Sequence, residues 1–154
     1  HQDALWQAVS DGTIDIVASD HAPHTLDEKN GVYPNTPSGT PGVQTLIPIM
    51  LNHVHEGRLS YERLVDLMAY GPSRVHKIKN KCFIKEKYDA DFTIVDPKLT
   101  HIITNDEQAS KSKWTPYDNK KVTGFPVMTI IRGQTIMREG ELINKANKPI
   151  EFHI

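Results

Sequence analysis

The sequence predicts an α/β fold that passes into a β-rich C-terminal half, and three observations predict it. A β-branched, mostly apolar run, Thr13-Ile14-Asp15-Ile16-Val17-Ala18, ends on Ser19-Asp20-His21-Ala22-Pro23-His24. Helical and strand-like patterns alternate through about residue 78. From Asn80 onward the pattern changes to short strands separated by turns. A near-continuous apolar run suits a strand buried on both faces, as in a parallel sheet. Polar residues at the carboxyl end of such a strand stand where barrels and open α/β sheets place their chemistry.

Taken in order, Ala4-Leu5-Trp6-Gln7-Ala8-Val9 reads as a helix, and Asp11-Gly12 is a turn signal before the 13–18 strand. Residues 25–42 form a long connection with Pro34, Pro37 and Pro41, Pro23 just ahead of it, and Gly31, Gly39 and Gly42. A connection of that length with no evident element of its own is either an irregular surface link or a lid or binding loop. Prolines reduce the entropy lost on ordering it, and glycines let backbone amides approach a ligand. A helix is expected from Val43 to about Glu56, with Val43, Leu46, Ile47, Met50, Leu51 and Val54 apolar and Pro48 bending its first turns. His53 and His55, two apart, point to different faces and read as solvated side chains near the helix end. Gly57 is a natural stop. Ser60 caps a helix with Leu64, Val65, Leu67 and Met68 facing a core, which Gly71-Pro72-Ser73 breaks before a short helix through Val75. Strands are expected at Ala90–Pro97, His101–Thr104 and Met128–Met137, the last a hairpin turning at Arg132-Gly133-Gln134, with another turn at Glu139-Gly140.

Composition narrows the function classes. The formal net charge is −1 over 154 residues, so no basic field points to nucleic acid. Cys82, the single cysteine, excludes an internal disulfide framework and reads as a small packing residue. No apolar run approaches 18 residues and no leader-like segment opens the chain, so the expectation is a cytoplasmic protein with no membrane partner.

Asp20 suits a metal ligand, a general base, or both. His21 and His24 suit metal, an anionic substrate, or the capping of the next helix. His76, His101, His1 and His153 are assigned no site.

The longer pattern carries a resemblance. "SDHAPHT" (19–25), "EKNG" (28–31), "PSGTPGVQTLIPIML" (37–51), "EGRLSYERLVDLMAYGPSRV" (56–75), "YDADFTIVD" (88–96), "WTPYDNKKVTGFPV" (114–127) and "IIRGQTIMREGELI" (130–143) together resemble the end of the long, bacterial-type dihydroorotases of the amidohydrolase superfamily. The resemblance runs in order through nearly the whole chain. It implies the C-terminal part of a (β/α)8 metal-dependent hydrolase barrel, which needs about 250 residues when complete. Residues 1–78 would supply the last barrel strand, the substrate loop and the following helices. Residues 79–154 would supply strands of a small β-sandwich.

The resemblance also implies roles. Asp20 becomes a zinc ligand and the carboxylate that takes a proton from the attacking water and gives it to the leaving ring nitrogen. His24 binds the substrate carboxylate, and the backbone of Pro37, Ser38 and Gly39 holds the substrate, Ser38 standing where some bacterial members have phenylalanine. His21 is a supporting residue. Cys82 and Lys87 stand where relatives often have glycine, which implies an altered turn. The implied cofactor is Zn2+, one or two ions, with most ligands on segments other than these. The implied substrates are L-dihydroorotate and N-carbamoyl-L-aspartate of de novo pyrimidine synthesis. The implied partner is the N-terminal remainder of the same protein, with a homo-oligomer possible, and the 154 residues alone are expected to be inactive. A hydantoinase- or allantoinase-like enzyme and a non-catalytic structural homologue are the alternatives.

Overall fold

A computed structural model describes residues 1–145; His153 and the expected end of the second region at 154 lie outside the described residues. Helix α1 spans Gln2–Asp11 and stops at Gly12, whose φ of 95° is the left-handed stop that glycine supplies cheaply. The Asp11 carboxylate accepts hydrogen bonds from the Thr13 amide (2.9 Å) and hydroxyl (2.7 Å), fixing the exit turn.

The strand expected over 13–18 is an extended segment with no ladder partner among the described residues. The physical reason is that a parallel strand exists only through its neighbours, and none is present to pair with it. The segment is held by helices instead. The Val17 N–H donates to the Leu67 carbonyl (3.3 Å), and the Arg63 guanidinium donates to the carbonyls of Val9 (2.7 Å) and Ile14. Gly71 lets the chain pass closely, because a Cβ there would stand 2.0 Å from the Asp15 carbonyl oxygen.

The 25–42 connection does contain an element, contrary to expectation. Helix α2, Leu26–Lys29, is set by a capping box in which Thr25 and Glu28 satisfy each other's backbone N–H. Helix α3 spans Leu46–His55, starting three residues later than expected because Gly42–Thr45 form a preceding turn. Pro48 is its third residue, where a missing N–H costs no intrahelical bond. Helix α4, Tyr61–Val65, is capped by the Ser60 hydroxyl as expected. It does not break at Gly71: a wider turn over Asp66–Tyr70 leads directly into α5, Gly71–Val75.

The C-terminal part is a four-stranded antiparallel sheet in sequential order β1-β2-β3-β4. Strand β1, Phe92–Ile103, joins the two strands expected there into one. Register shifts at Ile94/Val95 and Asp96/Thr100 mark the join, where the Asp96 carboxylate accepts the Lys98 and Leu99 N–H groups. Strand β2, Lys120–Ile131, begins eight residues before the expected start. Pro126 pairs with Val95 beside one of those bulges, where a missing donor is tolerated. The hairpin to β3, Gln134–Arg138, turns at Arg132 (φ 48°) and Gly133 (φ 77°), and the hairpin to β4, Glu141–Leu142, turns at Glu139 (φ 50°) and Gly140 (φ 86°). Both turns lie where the sequence predicts them.

Helix α3 packs on β2 and joins two cores. Met50 and Leu51 belong with Leu59, Leu64 and Leu67, while Ile49 belongs with Ile103 and Val122. Gly124, at φ 92°, is the closest approach, since a Cβ would stand 2.9 Å from Leu51 Cβ. The Thr123 N–H donates to Asn52 Oδ1 (2.9 Å), so the helix also satisfies a strand amide.

Candidate functional site

The site is organised around the turn at Asp20. The extended segment ends there because Asp20 takes a left-handed φ of 42°, a conformation aspartate tolerates better than most residues. Its side chain is exposed. His21 follows and pairs with Thr40 in an isolated parallel bridge, with the Ala22 N–H donating to the Thr40 carbonyl (3.1 Å). His21 Nδ1 accepts the N–H groups of Gly42 (3.1 Å) and Val43 (3.3 Å). That nitrogen is therefore unprotonated and its lone pair is spent, which suits a supporting residue rather than a metal ligand through Nδ1.

Gly39 locks the long loop against this turn. At φ 99° its Cβ position lies 2.6 Å from Ala22 Cβ, so a side chain there would push the two segments apart. Gly42 is similarly close, 3.0 Å from the Ser19 carbonyl oxygen. The Lys29 ammonium donates to the carbonyls of Pro37 (2.7 Å) and Gly39 (3.1 Å), spanning Ser38, which is exposed.

His24 is half-buried, with Nδ1 3.7 Å from Glu28 Oε2, and its carbonyl accepts the Trp114 indole N–H (2.7 Å). Glu28 is held below the usual carboxylate range by hydrogen bonds from the Thr25 backbone and hydroxyl, with the His24 ring adding a smaller electrostatic contribution.

The structure thus gathers Asp20, His24 and the Pro37–Gly39 backbone onto one stitched frame of residues 19–43. A cleft of about 450 Å3 opens beside it, between His21, Pro23, Thr25 and Glu28 on one wall and Ala109–Ser112 on the other. Asp20, His24, Pro37, Ser38 and Gly39 do not line that cleft. The Ala109–Ser112 wall is tied back by Gln44, which accepts the Ala109 N–H (2.8 Å) and donates to the Glu107 carbonyl (2.9 Å).

Sequence reasoning missed Lys29, Gln44 and Trp114 as parts of this frame. Only Lys29 had a local signal, the Thr-x-x-Glu capping box that places it on a helix. The other two are long-range contacts with no signature. His53 also departs from expectation. It packs edge-on to Trp6 at 4.4 Å, and burial holds its ring below the usual imidazole pKa despite Glu56 at 3.3 Å from Nδ1. His55 is exposed as expected.

The described residues do not fit a zinc ion by themselves. Among them, no group of three or more His, Cys, Asp or Glu side chains stands close enough to hold a metal. A protein zinc site takes three or four protein ligands, and Asp20 supplies one. No helix among the described residues is long and apolar enough to cross a membrane.

The family model described as "Amidohydrolase family" matches residues 1–136. The dihydroorotase of Halobacterium salinarum is 43% identical over 135 residues, covering 88% of this chain and 32% of its own length. That of Pyrococcus furiosus is 42% identical over 142 residues, covering 92% and 33%. The chain therefore spans about a third of the length of these curated relatives. Among solved structures, the L-hydantoinase (dihydropyrimidinase) from Arthrobacter aurescens superposes with a TM-score of 0.86 at 33% identity, over 92% of this chain and 32% of that one.

Proposed function

This chain belongs to the amidohydrolase family, and from that premise we propose that it is the C-terminal part of a dihydroorotase, which reversibly hydrolyses L-dihydroorotate to N-carbamoyl-L-aspartate. The observation that carries the reading is the stitched frame: one turn presents Asp20 and His24, and the loop bonded to it presents the Pro37–Gly39 backbone. Opening the ring breaks an amide C–N bond and adds water across it. The proton lost by the water must reach the departing nitrogen. In this reading Asp20 accepts that proton and returns it to nitrogen, a shuttle that needs one exposed, positioned carboxylate. His24 takes the carboxylate carried by the ring, and the Pro37–Gly39 backbone bonds the ring's polar edge.

The proposal extends to the division of the chain, with residues 1–78 closing a barrel and 79–154 contributing to a small β-sandwich. It also includes zinc as the metal, held mainly by ligands outside the described residues, a role in pyrimidine synthesis, a cytoplasmic location, and the rest of the same protein as the required partner. Hydantoinase-like chemistry is the second reading, favoured by the fold match at a TM-score of 0.86. The higher identity to dihydroorotases and the presence of His24 support the first.

The test is an assay of the complete protein on L-dihydroorotate and on hydantoin. Selective turnover of dihydroorotate supports the proposal, and selective turnover of hydantoin replaces it with the second reading. No turnover of either favours a non-catalytic homologue. The 154 residues alone are expected to show no turnover, and measurable hydrolysis by them would overturn the assignment of a site shared with other segments.

A further inference from the structure

We infer that Lys29 is a positioning residue for the substrate loop, an inference that rests on the reading of Pro37–Gly39 as the segment that holds substrate. A single ammonium gathers two backbone carbonyls, those of Pro37 and Gly39, at 2.7 and 3.1 Å. Lys29 is half-buried and makes no ion pair among the described residues. Its charge is therefore committed to the peptide groups of the loop, a stronger attachment than neutral backbone bonds make.

The direction of the bonds gives them consequence. A trans peptide is planar, with C=O and N–H on opposite sides. Fixing the Pro37 carbonyl on Lys29 thus fixes the Ser38 N–H facing away from Lys29. That N–H donates no hydrogen bond among the described residues, so it is an oriented donor left for a ligand. Fixing the Gly39 carbonyl likewise fixes the peptide leading into Thr40, the residue that bridges to His21. His21 adjoins Asp20. Lys29 therefore sets the substrate-holding backbone and couples it to the turn that carries the acid.

Lys29 is itself placed by sequence-local means. A helix of four residues has no stability of its own, and the Thr25–Glu28 capping box holds α2 in place. The same Glu28 stands beside His24. One short helix thus addresses both segments through adjacent residues, Glu28 to His24 and Lys29 to Pro37–Gly39.

The experiment uses the complete protein with Lys29→Ala, Lys29→Arg and wild type, assayed on L-dihydroorotate. Lys29→Ala is expected to raise KM roughly tenfold or more, the scale of a lost charged hydrogen bond, while kcat stays within about threefold. Lys29→Arg, which keeps the charge and two donors, is expected to fall between. Propylammonium replaces the deleted atoms and is expected to lower the KM of Lys29→Ala while leaving wild type unchanged. A folded Lys29→Ala protein with KM within twofold of wild type would overturn the inference, as would an equal loss in kcat and KM with no amine rescue. Hydrogen exchange at residues 38–43 separates this inference from the function on which it rests. If wild type does not turn over dihydroorotate, the functional reading fails. Faster exchange at 38–43 in Lys29→Ala would still support the clamp, and unchanged exchange would remove it.

Discussion

The helical region that carries the candidate site and the antiparallel sheet that follows it satisfy their backbones in opposite ways. In the sheet, each strand pairs with the next in sequence, and two tight turns set the registers of β2–β3 and β3–β4. The β2–β3 and β3–β4 hydrogen bonds are local, while β1 meets β2 from further along the chain, with Phe92 opposite Ile130. In the helical region, residues 13–20 are extended without a ladder, and their carbonyls and amides are met by Arg63 and by the Leu67 backbone. A hairpin needs only its own sequence, whereas a parallel strand needs neighbours separated by a crossover of a dozen residues or more. The site lies in the region that is less complete by itself, and this is consistent with a chain spanning about a third of its relatives.

That contrast is most sharply tested at Asp20. In the complete protein Asp20→Ala is expected to lower kcat by about 10²–10⁴-fold, the range of a lost general acid–base group, and His24→Ala to act mainly on KM. Steady-state kinetics decide it, and near-normal kcat for Asp20→Ala would contradict the shuttle.

Next in size is the pair of cores. Leu67 and Val122 are both fully buried, one in each region. Leu67→Ala is expected to cost about 3 kcal/mol and Val122→Ala somewhat less, read from denaturation midpoints. Because α3 contributes Leu51 to one core and Ile49 to the other, both variants should shift one common transition. Separate transitions for the two regions would break the claim that α3 welds them.

A smaller effect is expected at Lys81, in the segment that leads into the sheet. Its ammonium bonds Asp89 (2.7 Å) and Asp91, and Asp91 also accepts the Arg132 N–H (2.7 Å). Burial works against the charged forms, but these hydrogen bonds outweigh it, holding Asp91 below and Lys81 above their ordinary values. Lys81→Met should cost about 2 kcal/mol at neutral pH, because two carboxylates then face each other half-buried. The sign follows from each shift. The Asp91 contribution is complete above the ordinary carboxylate pKa of about 4 and is lost as pH falls through its lowered value. The Lys81 contribution is complete below about 10.4 and is lost as pH rises through its raised value. The difference between variant and wild type should therefore be flat from about pH 5 to 9 and shrink below pH 4. A difference that grows in acid would refute this account.

The smallest expected effect is at Thr25. Thr25→Ala removes the side-chain half of the capping box and should cost about 1 kcal/mol, seen first as faster hydrogen exchange through α2. Exchange there equal to wild type would mean that Lys29 alone holds the helix.

Features that depend on near neighbours were legible along the chain. Ser60 capped its helix, Gly12 and Gly57 adopted left-handed stops, and the Arg132-Gly133 and Glu139-Gly140 turns fell where their residues placed them. Cys82 (φ 68°) and Lys87 (φ 70°) took the left-handed backbone that glycine favours. The family was legible for the same reason: the motifs of the loop and hairpins are short and lie in order along the chain.

Tertiary structure decided the rest. Whether 13–18 became a strand depended on partners, the fusion of two expected strands into β1 depended on pairing with β2 across a bulge, and the burial of His53 depended on Trp6 from another helix. The frame around Asp20 was decided in the same way. Trp114 reaches His24 across 90 residues, Gln44 reaches Ala109 across 65, and Lys29 finds the carbonyls of Pro37 and Gly39 only once the loop has folded back on the turn. Local propensity is set by a residue and its immediate neighbours, while such contacts are selected by packing and by the need to satisfy buried backbone groups, which belong to the assembled chain.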